Sequence, residues 1–221
     1  MRWHYPDWRP EPGPVSEHSS SVAAKRALPL EEVFPILSGE DRRPLLVLRE
    51  CLTCTGTDDA LLTKSVDNEK TMLMSQWFRC VKLPPAVLEE DHAFHALFPG
   101  DGPAHLFVAR WDGSARRDLD GQQSRTELWG VMADLLKSEY AKKADPALKS
   151  LFSLMDKLDA VDDRIAELQG RRGDVIEEDG PESRKVAKIE KELAELREER
   201  DELRAHAVLV ASLPLKKKES A

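Results

Sequence analysis

Hydrophobic and polar positions change rhythm along this chain, and the changes mark four stretches. In residues 1–27 Pro, Ser and charged residues hold no sustained period, so this stretch reads as an irregular arm. Trp3, Tyr5 and Trp8 are unusual in such an arm and are expected to pack on its own domain, the alternative being a docking peptide for a partner. From 28 to 143 short apolar runs alternate with helical patterns. From 146 to 212 apolar residues recur at alternating steps of three and four, and a basic tail, 213–221, closes the chain.

Within the second stretch Leu30, Val33, Phe34 and Leu37 have helical spacing, with Pro35 expected to end or distort that helix. Pro44 to Arg49 reads as a short buried strand, followed at once by Cys51-Leu52-Thr53-Cys54. The pattern then predicts a helix over about 57–76 and a second strand over Phe78–Leu83, in which Cys80 is a small core side chain. After Pro84 and Pro85, Ala86 to Phe98 reads as a helix burying Val87, Phe94, Leu97 and Phe98. A turn-rich Pro99–Pro103 leads into a strand over Ala104–Trp111. Asp112-Gly113 signals a hairpin turn to a short strand around Arg116–Leu119. Ser124, with Glu127 three residues on, caps a last helix with Leu128, Met132, Leu135 and Leu136 on its buried stripe.

The third stretch has a coiled-coil rhythm. Leu151, Leu154, Leu158, Val161, Ile165, Leu168 and Val175 form one row, and Val186, Ile189, Leu193, Leu196, Leu203 and Val210 form another. Folded near 179–182, the rows meet as an antiparallel hairpin: Val175 opposite Val186, Leu168 opposite Leu193, Ile165 opposite Leu196. Each arm would have about 30 residues, or roughly 45 Å of helix. Arg172 and Arg200 interrupt the rows and would lie opposite Ile189 and Val161. Gly170 and Gly173 would loosen the first arm. Phe152 and Met155 fall off the seam. Such an arm suits binding a protein partner, or a second copy of the chain; its plainer use is as a spacer.

Composition narrows the function. Of 221 residues, 33% are charged, above the usual quarter, and the formal charge is −8. Phosphate binding needs a basic footprint, so a nucleic-acid binder is not expected, and Lys216-Lys217-Lys218 is too short to reverse this. No apolar run is long enough to span a membrane, and the opening residues lack a secretory signal's apolar stretch. Three cysteines do not describe a disulfide-stapled secreted scaffold, so a reducing cytoplasm is the expectation. Nucleotide-binding, hydrolase and metalloprotease signatures do not occur. His92 and His95, three apart, could join Cys51 and Cys54 in a tetrahedral zinc set. That needs their helix to face the dithiol, and neither a metal nor a cofactor is expected.

The order strand, helix, strand, helix, strand, hairpin, strand, helix, with a dithiol after its first strand, resembles the thioredoxin superfamily over about 28–140. Cys51-Leu52-Thr53-Cys54 falls where that family carries CxxC, at the end of a central strand. Pro103 matches the family's cis-proline, and Asp112-Gly113 with Asp120-Gly121 matches its closing hairpin and glycine. The resemblance implies an α/β fold, here followed by a long antiparallel coiled-coil hairpin. It implies Cys51 as nucleophile, Cys54 as resolving thiol, and Gly102 and Pro103 shaping a substrate groove.

A thiolate attacks a substrate disulfide, and the positive end of a helix lowers its pKa. Glu50 stands where the family usually has an aromatic. Thr55 with Asp58 offers a competing helix cap, and Asp59 adds charge, so the Cys51 pKa is not expected to be strongly depressed. The function expected is a thiol–disulfide oxidoreductase-like protein directed to a protein partner by its hairpin. The alternative is a non-catalytic interaction or scaffold module of the same fold.

Overall fold

The computed structural model describes residues 1–6, 26–51, 61–62 and 68–217. By its contacts the chain forms two compact units: Met1–Ala144 with Pro214–Ala221, and Asp145–Leu213.

The first unit is built on a mixed five-stranded sheet with flanking helices. Its strands are β1 (Trp3–His4), β2 (Leu45–Arg49), β3 (Arg79–Leu83), β4 (Leu106–Ala109) and β5 (Arg117–Leu119), in the order β1-β3-β2-β4-β5. β1, β3 and β2 are parallel neighbours, and β4 runs antiparallel to both β2 and β5. The middle strand β2 is buried along its whole length. A strand covered on both faces loses the apolar–polar alternation and reads as a continuous apolar run, as Leu45–Leu48 does.

On one face Leu45, Val47, Val81, Leu83, Phe107 and Ala109 form a core with Val33, Phe34 and Leu37 of α1 (Leu30–Ser38) and with Val87, Phe94, Leu97 and Phe98. Leu46, Leu48, Leu106 and Val108 lie on the other face, equally buried. α2 (Glu69–Ser75) and α3 (Arg125–Glu139) are tied to each other by the Trp129 indole N–H, which donates to Thr71 Oγ1 at 3.0 Å. Ser124 caps α3, its side chain accepting from the Glu127 N–H.

Several expectations change. The arm is not irregular throughout. Trp3 and His4 add an edge strand, Trp3 opposite Cys80 and His4 opposite Val81, while Trp8 lies outside the described residues. Pro35 does not end α1, which runs on to Ser38. Proline leaves the Glu31 carbonyl without its helical donor, but Glu31 and Pro35 are both exposed, so water can replace that bond. Ala86–Phe98 is not a helix but two short 3-10 turns, Pro85–Leu88 and His95–Leu97. Glu89 is extended between them, and the His92 ring Nδ1 accepts from the Phe94 N–H at 3.1 Å. A side chain that takes a backbone donor in this way competes with the helix. The apolar positions read for that helix are still buried. Of the helix expected over 57–76, α2 covers Glu69–Ser75, and residues 57–60 and 63–67 lie outside the described residues.

Part of the basic tail is tied to the first unit. Leu215 bridges Tyr140, the Ala141 N–H donates to the Pro214 carbonyl at 2.9 Å, and the Lys216 N–H donates to the Glu139 carbonyl at 2.8 Å. Lys218 lies outside the described residues.

The second unit consists of α4 (Ala144–Asp179, 36 residues), whose first residue falls just before the unit's boundary, and α5 (Arg184–Ala211, 28 residues). Gly180 ends α4 with a positive φ of 83° and donates its N–H to the Ile176 carbonyl, the left-handed close that glycine favours. Ser183 then caps α5. Val161, Ile165 and Leu168 of α4 bury against Ile189 and Leu193 of α5, with Val175, Leu196 and Leu203 packed alongside. Arg164–Glu192, Arg172–Glu190 and Arg200–Asp162 ion pairs join the two helices in antiparallel register. Both interrupting arginines thus extend to an acid next to the apolar residue expected opposite them. α4 is unbroken through Gly170 and Gly173. Among the described residues no helix is long and apolar enough to cross a membrane.

Candidate functional site

The sequence places its chemistry where β2 ends. Cys51 is half-buried there and disulfide-bonded, whereas Cys80 is a free, buried thiol. Cys54, together with Leu52, Thr53, Thr55, Asp58 and Asp59, lies outside the described residues.

The ladder carries the chain regularly up to Cys51. The Arg49 N–H donates to the His105 carbonyl at 2.8 Å, and the Glu50 N–H to the Leu83 carbonyl at 2.9 Å. Successive residues of a pleated strand point to opposite faces. Glu50 takes the face of Lys82, meeting its ammonium at 3.4 Å, and Lys82 also lies 5.7 Å from the centre of the Trp3 ring. The negative charge beside Cys51 that the sequence shows is therefore answered by a cation from the neighbouring strand.

Arg49 points to the other face and is 5% exposed. Its guanidinium donates to two backbone carbonyls of the segment before β4, that of Pro103 at 3.2 Å and that of Ala104 at 3.4 Å. It also lies 5.8 Å from the centre of the Phe98 ring. Burial lowers its pKa from the ordinary arginine value. Charged hydrogen bonds to carbonyls hold that segment against the end of β2.

Gly102 and Pro103, the residues expected to shape a substrate groove, line a groove of about 750 Å³ together with Phe98, His105, Arg116 and Asp120. No peptide bond among the described residues is cis, so the cis-proline implied by the resemblance is not present at Pro103. Two residues also separate Pro103 from the start of β4, and Arg49 provides the fastening there. His105 is held neutral more strongly than usual, first by burial and then by the Arg49 charge, with Asp120 opposing. Gly121, with φ 96°, packs against it: a Cβ there would sit 3.3 Å from that of His105. Arg116 pairs with Asp118 at 2.7 Å and lies over the Phe107 ring.

Cys80, read as a core side chain, donates its S–H to the Ser75 carbonyl at 3.5 Å, and burial pushes its thiol up to about 11. Among the described residues no three His, Cys, Asp or Glu side chains gather as a metal site. His92 spends its Nδ1 on the backbone, and its expected helix does not form. The role of Arg49 escaped the sequence reading because an arginine ending a strand usually marks where the strand meets solvent. The only local signal was its position two residues before the first cysteine.

No protein-family model matches the chain, and comparisons with curated proteins and with solved structures found no significant match.

Proposed function

We propose that the chain is a thioredoxin-like thiol–disulfide oxidoreductase that uses the Cys51–Cys54 dithiol and is directed to a protein partner by an antiparallel coiled-coil hairpin. One observation carries this reading: Cys51 is disulfide-bonded at the end of the middle strand, next to a segment of Gly102, Pro103 and Ala104 fastened to that strand. The closing β4–β5 hairpin and Gly121 before α3 agree with the same family pattern.

In the reduced form the Cys51 thiolate attacks one sulfur of a substrate disulfide. A Cys51–substrate S–S bond forms, the substrate's own S–S bond breaks, and the departing thiolate takes a proton from solvent. Cys54, having lost its proton, then attacks Cys51 sulfur and releases the second substrate thiolate. The substrate gains two electrons and the dithiol loses two, becoming a disulfide. An external dithiol restores the reduced form by the same exchange. This chemistry needs no cofactor, and a reducing cytoplasm supplies such dithiols.

The seam of Val161, Ile165 and Leu168 against Ile189 and Leu193 supports the coiled-coil reading of the hairpin. The test is disulfide reduction by wild type, Cys51→Ser and Cys54→Ser. Activity in wild type that both variants lose supports the oxidoreductase, and Cys54→Ser should trap its partner on Cys51 as a mixed disulfide. Equal rates in all three assign the non-catalytic interaction module instead.

A further inference from the structure

Among the described residues Arg49 is a charge without an acid. It donates to two carbonyls and lies near an aromatic ring, and among the described residues no carboxylate pairs with it. Buried arginines ordinarily have a counter-ion, because an unpaired charge away from water is costly. Here the cation lies at the end of the strand that leads into Cys51.

The pleat decides which charges Cys51 meets. Glu50 turns to the opposite face and is neutralised by Lys82. Cys51, two residues after Arg49, leaves the strand on the Arg49 side, about 7 Å further along the backbone. The other charged groups near this end are less effective. Arg116 and Asp118 neutralise one another, and His105 is biased toward its uncharged form by burial and by Arg49, against the pull of Asp120. Of the described charges at this edge Arg49 is the buried cation, and the Asp120 carboxylate in the groove opposes it in part.

We propose, on the basis of the dithiol chemistry above, that Arg49 is a positioning residue that favours the Cys51 thiolate and holds the Pro103–Ala104 segment beside it. A lowered pKa leaves more of Cys51 as the attacking thiolate at neutral pH. A thiolate stabilised in the reduced dithiol raises the reduction potential, and the neutral disulfide gains nothing from the cation. The two hydrogen bonds and the charge come from one side chain, so the wall of the groove and the attacking sulfur are set together.

The test uses the full chain, reduced, with peptide-resolved alkylation against pH so that Cys51 is followed apart from Cys80. Reduction potential is measured by equilibration with glutathione. Wild-type Cys51 is expected to titrate below the ordinary thiol value of about 8.5. Arg49→Met should raise that value by about one unit and lower the potential, while Arg49→Lys, which keeps the charge, should leave the thiol pKa nearly unchanged. A purely structural role would weaken folding in both variants without moving the pKa in only one. A wild-type value at or above 8.5 overturns the proposal even if Arg49→Met fails to fold, as does an equal pKa in wild type and a folded Arg49→Met. Disulfide-reduction rates separate the two levels. A lowered, Arg49-dependent pKa in a wild type that reduces no disulfide leaves the Arg49 assignment standing and removes the oxidoreductase.

Discussion

The ring of Phe34, in α1, occupies the space that a Cβ on Gly113 would need. Gly113 forms the turn between β4 and β5, where its φ of 84° lies in the left-handed region. Its N–H closes back onto the Arg110 carbonyl, and the Arg110 N–H reaches the Ser114 carbonyl. Two demands thus meet at one residue: a conformation L side chains adopt at a cost, and contact with a core ring that is 6% exposed.

Gly113→Ala should therefore destabilise the protein by about 2–4 kcal/mol, combining positive-φ strain with overpacking against Phe34. Gly100 separates the two causes, because its φ is 86° and nothing lies within 4 Å of a Cβ built on it. Gly100→Ala should cost only about 1 kcal/mol. Urea midpoints of the two variants provide the measurement, and equal losses would reject the contact with Phe34 as the larger cause.

Gly170 and Gly173 behave in the opposite way. Both lie inside α4, neither has a positive φ, and a Cβ at either meets nothing within 4 Å. Each Gly→Ala change should stabilise the hairpin by about 0.5–1 kcal/mol by narrowing the unfolded ensemble. Thermal unfolding followed by far-ultraviolet circular dichroism would show it as a higher midpoint, and a fall in midpoint would mean that α4 needs these glycines for a bend or an approach.

Raising the pH should destabilise the first unit through Cys80. Burial raises its folded pKa to about 11, opposed in part by the Arg43 charge and the hydrogen bond to Ser75. In the unfolded chain the thiol titrates near 8.5. The raised folded pKa favours the native state below the unfolded value. That contribution is lost as pH rises from about 8.5 to about 11, for a change of the order of 3 kcal/mol. The stability of Cys80→Ala should fall less across this window than that of wild type. Parallel pH profiles would show that Cys80 does not titrate differently on folding.

Acid should act through Asp41. Burial alone would raise its pKa, but hydrogen bonds from the side chain and backbone of Arg43, with the charges of Arg43 and Arg79, bring it below the usual carboxylate range. A depressed folded pKa gives stability that is present above about pH 4 and disappears as pH falls through the lower folded value. Asp41→Asn should be less stable than wild type at neutral pH, and the gap should close in acid. A gap that persists at low pH would assign the loss to hydrogen-bond geometry alone.

How legible these features were in the sequence depended on whether one local pattern had one structural solution. Leu45–Leu48, short and apolar between Pro44 and Arg49, could be read as a buried strand. Ser124 with Glu127 announced α3, and the two apolar rows set the register that Arg172–Glu190 and Arg200–Asp162 show. Val87, Phe94, Leu97 and Phe98 had two solutions, because a helix and a pair of 3-10 turns bury the same positions. Trp3–His4 had no pattern at all; a two-residue strand is specified by the free edge of β3 rather than by its own residues. At the candidate site, Cys51 was visible from its place after β2. The link from Arg49 to Pro103 joins residues 54 positions apart and leaves no trace in local spacing.

The bond between Ala141 and Pro214 gives the chain's connectivity an unexpected sense. The hairpin is not an extension added after a finished domain, because the polypeptide departs from the sheet-bearing unit at one point and re-enters it beside that point. A splice across 142–213 would need only a short linker to keep both ends in place. Conversely, a chain cut after residue 143 would lose the segment that satisfies the backbone around Glu139–Ala141.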